Sequence, residues 1–174
     1  MAMPAQQIRL EQWANFFVST SAAAATLLGL LFVLVALAAE RGRKDRADLR
    51  IYLTPVVIYF SSVLLMSALL IVPNQTRLSV VTCICLAGIV GMGYCGSMAI
   101  RRGAGSASYR ERSDVFPYVV FPFAAYALMA AGGLVLLRRA QIGLDVVAAG
   151  VLVLLCVAIR NSWSIALTIV SAHH

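Results

Sequence analysis

The feature that most limits what this chain can fold into is the run from about Trp13 to Ala39, which carries no charged residue. About 20 mostly apolar residues suffice to carry an α-helix across the hydrocarbon core of a bilayer. Four further stretches meet that length, at about 51–72, 78–100, 115–137 and 142–170. All are continuous, whereas the strands of a membrane barrel alternate apolar and polar residues over ~10 positions. Inside lipid the backbone has to satisfy its own hydrogen bonds, and a continuous apolar run does so as a helix. The sequence therefore predicts an all-α, polytopic transmembrane bundle of five spans. The connections 40–50, 73–77, 101–114 and 138–141 are too short for a soluble domain. Residues 1–174 then form one transmembrane domain in which consecutive helices are expected to pack as antiparallel neighbours.

Composition excludes the soluble alternative. Hydrophobic residues make up 61% of the chain and charged residues 12%, against about 45–50% and about 25% in soluble domains. A domain of this size leaves roughly 30% of its unfolded surface in water, which a mean hydropathy of +0.90 does not permit. The first run is too long for the apolar region of a secretory signal, about 7–15 residues, and only Arg9 precedes it as a basic residue. It reads as a retained span.

Fourteen Lys and Arg stand against seven acids, a net charge of +7. Nine of the fourteen (Arg41, Arg43, Lys44, Arg46, Arg50, Arg101, Arg102, Arg110 and Arg112) fall in the two longer connections. Four, Arg9, Arg77, Arg138 and Arg139, fall on the other side, and Arg160 lies within the fifth span. Basic loops are retained in the cytoplasm. The expected topology thus has the N-terminus outside and the C-terminus cytoplasmic, with Arg138 and Arg139 running against it. The basic loops suit contact with anionic lipid headgroups. They do not suit nucleic acid, since both are short and Tyr109 is their one aromatic residue.

Catalytic chemistry lacks its usual parts. No histidine precedes His173 and His174, and no acid lies deep in a span. Serines have no internal histidine to activate them. Cys83, Cys85, Cys95 and Cys156 lie within spans, at spacings that suit neither zinc nor a redox pair. The expectation is a non-enzymatic protein without metal or cofactor.

Three helix faces stand out. On the first span Asn15, Ser19, Ala22, Thr26, Gly29, Val33 and Ala36 recur at steps of four and three, with Glu11 and Glu40 at the ends. Trp13, Phe17, Ala24, Leu28, Leu31 and Val35 lie opposite. The small and polar stripe fits close helix contact or a water-lined wall in an oligomer. On the third span Ala87, Gly91, Cys95 and Ala99 form a ladder of small residues, thickened by Gly88, Gly93 and Gly96. Ala124, Ala127 and Ala131 repeat the pattern on the fourth span. Both ladders are expected to be packing faces.

Pro117 and Pro122 near the start of the fourth span remove two backbone donors. A kinked or unwound start is expected there, with freed carbonyls turned to protein or water. In the fifth span Arg160 stands out, because a charge at membrane depth costs roughly 2.5–3.5 kcal/mol on insertion scales. Cys156, Arg160, Ser164 and Thr168 stand four apart, flanked by Asn161 and Trp163. Three readings are open: snorkelling to the interface beside Trp163, a buried pair with Asp114 or Glu40, or an electrostatic element in a pore. Antiparallel pairing of the last two spans brings Asp114 level with about residue 165.

The run Trp13-Ala14-Asn15-Phe16-Phe17, followed by Ala23-Ala24-Ala25-Thr26-Leu27-Leu28-Gly29-Leu30-Leu31-Phe32-Val33, resembles the first helix of a family of small uncharacterised bacterial multi-span membrane proteins. Leu69-Leu70-Ile71-Val72-Pro73 resembles the end of that family's second span, and Asn161-Ser162-Trp163 its late N-A-W, with Ser162 replacing Ala. The quoted motifs themselves make up about one seventh of the chain. Some members are labelled modulators of a membrane-bound ATP-dependent protease. The resemblance implies a bacterial inner membrane protein. Together the features suggest a homo-oligomeric, channel-like membrane protein, with a non-conducting interaction or regulatory protein as the competing class. Expected partners are lipid, further copies of the chain and another membrane protein.

Overall fold

In a computed structural model the chain is a bundle of five long helices. The structure describes residues 10–40, 46–103 and 116–171, and side-chain surroundings for 13–37, 53–101 and 118–167. The helices are α1 (Leu10–Glu40), α2 (Arg46–Ile71), α3 (Arg77–Gly103), α4 (Phe121–Leu136) and α5 (Ala140–Ser171), with a π-helical turn at Phe116–Val120 ahead of α4. All five are long and apolar enough to cross a membrane.

The packing order is not the chain order. Around the bundle the helices run α1, α2, α5, α4, α3. The expected antiparallel pairing of neighbours holds for α1 with α2 and for α4 with α5. It fails for α2 and α3, which share little contact although only residues 72–76 join them. Instead α3 packs along α4. Small residues on both helices let their backbones come close, and in lipid close packing rather than water exclusion selects the partner.

Gly91 shows how close. A Cβ built at this position would overlap the ring of Tyr126, so only glycine fits. One turn earlier, a Cβ at Gly88 would lie 2.9 Å from the Tyr126 carbonyl oxygen. The α4–α5 hairpin is as tight at its turn, where a Cβ at Gly143 would lie 2.6 Å from Leu136 Cα. The third-span ladder is therefore a contact face through Gly91 and Cys95, both buried, while Ala87 is half-buried and Ala99 exposed.

The fourth-span alanine row does not face the protomer's own bundle. Ala124 and Ala131 are exposed and Ala127 is half-buried. The buried face of α4 is Pro122, Ala125, Tyr126, Met129, Gly132, Gly133 and Leu136. Glycine pairs with large residues there, so the glycines accept bulk from α3 and α5 and the alanine row is left over.

The short connection 72–76 is shaped by its own residues. Pro73 follows the end of α2, and Asn74 takes φ 58°, a left-handed conformation that asparagine tolerates. Thr76 caps α3 by accepting the Ser79 N–H at 3.2 Å. Arg77 then reaches across to α4. Its Nε donates to the Leu136 carbonyl at 2.8 Å, and its Nη2 donates to the same oxygen. A cation on the terminal carbonyl of a helix also meets the negative end of the helix dipole.

Candidate functional site

The first-span stripe lies on the outside of the molecule. Asn15, Ser19, Ala22, Thr26, Gly29, Val33 and Ala36 are all exposed. Behind them Phe17, Ala24 and Leu31, seven residues apart, are buried. Seven residues are close to two turns, so these three form a single line against the bundle. α1 is also the least embedded helix, with 17% of its most apolar stretch buried against 50% for α5. A Cβ at Gly29 would meet nothing within 4 Å.

The polar groups of the stripe are partly occupied locally. Ser19 Oγ donates to the Asn15 carbonyl at 2.7 Å, and Thr26 Oγ1 donates to the Ala22 carbonyl at 2.9 Å. Each hydroxyl keeps acceptor lone pairs directed outward. The stripe thus presents a narrow, weakly polar ridge without charge. What holds it outward is the opposite face. Trp13, Phe16 and Phe17 stack with centroid separations of 5.1–6.1 Å. The Thr20 and Ser67 hydroxyls are 2.9 Å apart across the α1–α2 contact, and both residues are buried.

A second polar set lies inside, around the start of α4. Tyr59 Oη donates to the Tyr118 carbonyl at 2.6 Å. The Tyr126 and Ser62 hydroxyls are 2.8 Å apart, and the rings of Tyr59 and Tyr126 are 6.5 Å apart. The expected irregular start of the fourth span is the π-helical turn. Pro117 lies within it, and Pro122 is buried just beyond. Sequence reasoning found the prolines but missed Tyr59, Ser62 and Tyr126. Their signal was present: hydroxyl-bearing residues at membrane depth need partners.

Arg160 is exposed on α5, as are Cys156, Trp163 and Ser164, while Asn161 is buried. The expected counter-ions are Asp114 and Glu40. Asp114 lies outside the described residues, and so does the side chain of Glu40, which ends α1. Among side chains the structure describes, Asp145 is the one acid, fifteen residues up the same helix. The four cysteines are free thiols. Among the described residues no three His, Cys, Asp or Glu side chains come together.

Fold and surface together define a class: a small, multi-span integral membrane protein, apolar outside and clipped by hydroxyls within. No protein-family model, curated protein or solved structure matches the chain.

Proposed function

We propose that this is a non-enzymatic, homo-oligomeric membrane protein of channel-like build, in which copies meet through the outward face of α1. One observation carries the reading. The least embedded helix turns its small and polar residues, Asn15 to Gly29, away from its own bundle. Lipid gives no reason for such a face, since tails solvate leucine as well as alanine. A second transmembrane helix, or water along an axis shared by several copies, does. The nine-to-four distribution of basic residues supports a cytoplasmic location for the loops 40–50 and 101–114. The resemblance of the first span supports a bacterial inner membrane.

The test is ion flux through purified protein in liposomes under voltage, pH steps and membrane tension. Conduction altered by Asn15→Leu or Thr26→Leu is the expected result. Absence of flux under all three stimuli overturns the channel reading. The alternative is a non-conducting interaction protein, such as a modulator of a membrane protease. It is favoured by the Ser19 and Thr26 hydroxyls, which already donate to their own helix and leave a smooth packing ridge.

A further inference from the structure

Helix length fixes where Arg160 sits. The connections 72–76 and 137–139 mark one end of the bundle. At 1.5 Å per residue, Arg160 lies about 30 Å beyond Ala140, and Arg101 lies about 36 Å beyond Arg77 on α3. The hydrocarbon core is about 30 Å thick. Arg139 and Arg160, twenty-one residues apart, therefore bracket it, with one residue at each headgroup layer. Arg101 is exposed at the second level as well.

The surroundings of Arg160 select its ligand. Leu152, Val153 and Ile159 are exposed above it on α5, so this side of the helix is apolar until Arg160. Trp163 follows three residues on, 66% exposed. Spacing of three keeps the indole beside the guanidinium on one helix face. The one described acid, Asp145, is fifteen residues away, about 22 Å along the axis. An exposed guanidinium beside an indole at interface depth, with no carboxylate near it among the described side chains, matches a phosphodiester. Arginine binds phosphate through a planar fork, and tryptophan belongs at the headgroup level.

We propose that Arg160 and Trp163 form a binding site on α5 for the headgroup of an anionic phospholipid, in the leaflet at the end of the bundle remote from loops 72–76 and 137–139. The site is independent of whether the protein conducts.

The chain has two tryptophans, so Trp13→Phe leaves Trp163 as a local reporter. The protein is reconstituted in phosphatidylcholine with phosphatidylglycerol, one lipid at a time carrying a quencher near its headgroup. Quenching of Trp163 by labelled phosphatidylglycerol should exceed its mole fraction roughly fivefold, as expected for one basic residue at the surface. Arg160→Gln should abolish the excess. Arg160→Lys should retain part of it, and Arg101→Gln, on another helix, should leave it intact. Circular dichroism and size-exclusion profiles establish that each variant is folded.

An excess that survives Arg160→Gln overturns the proposal, as does equal quenching by both lipids. An excess abolished by millimolar inorganic phosphate assigns the site to a free anion and also overturns it. So does protection of Trp163 from both lipids with a changed oligomeric state in Arg160→Gln, which makes this face a protein contact.

Discussion

The hydroxyl of Tyr59 on α2 donates to the backbone carbonyl of Tyr118 at 2.6 Å, four residues ahead of Pro122. In a regular helix the N–H of residue 122 would take that carbonyl. Proline has none, and within a membrane water cannot substitute. Tyr59 supplies a donor to that carbonyl from another helix, so the irregular turn ahead of α4 is tied to α2.

Tyr59→Phe should therefore destabilise the protein by about 1–2 kcal/mol, since it removes a buried hydrogen bond between two elements of the bundle. Pro122→Ala restores a backbone donor within α4. In the Tyr59→Phe/Pro122→Ala double variant the loss should be smaller than in Tyr59→Phe alone. Unfolding in mixed detergent micelles measures all three, and strict additivity would separate the proline from the tyrosine.

Gly91→Ala should cost about 1–3 kcal/mol, because the new methyl group overlaps the Tyr126 ring. That ring cannot turn away freely, being buried and bonded to Ser62. Gly93→Ala, two residues on with nothing within 4 Å, should be neutral or slightly stabilising. The same unfolding assay compares the pair, and equal effects would place the α3–α4 contact elsewhere.

Gly29→Leu separates protomer from assembly. Its Cβ enters open space, so the unfolding free energy of the protomer should change by less than about 0.5 kcal/mol. The oligomer, if built through α1, should dissociate at lower detergent concentration or shift to a smaller species by mass measurement. An unchanged oligomer would move the association surface off α1.

Arg77→Ala should destabilise by about 1 kcal/mol through loss of the clamp on Leu136. Arg138→Ala and Arg139→Ala, both exposed, should have little effect. Thermal unfolding of the three variants tests the difference. Arg77 also shows that one of the four basic residues opposing the charge bias has a structural task.

The hydroxyl pair Thr20 and Ser67 can be tested by a cycle. Thr20→Val or Ser67→Ala alone should cost about 0.6 kcal/mol, the usual size of a hydrogen bond between membrane helices. Replacing both should cost less than the sum, because no polar group is then left unpaired. Additive losses would show that the two hydroxyls do not stabilise each other.

Much of the fold is legible in the sequence, for a physical reason. Hydrocarbon thickness sets span length, and charge is excluded from the core, so five apolar runs bounded by basic residues determine five helices and nearly their ends. The stripe from Asn15 to Gly29 was also legible as one helix face, because 3.6-residue periodicity is local. Its direction was not. In water an apolar face points inward, but in lipid both faces of a helix are apolar and hydropathy carries no sign. Only tertiary packing decided that the α1 stripe faces out, that α3 lies on α4 and not on α2, and that Gly132 and Gly133 displace the alanine row from the contact. It likewise decided that Tyr59, sixty-three residues before Pro122, donates to the carbonyl that proline cannot reach, and that Arg160 and Trp163 both stand exposed. Shape complementarity and buried hydrogen bonds select among arrangements that the bilayer alone leaves equal.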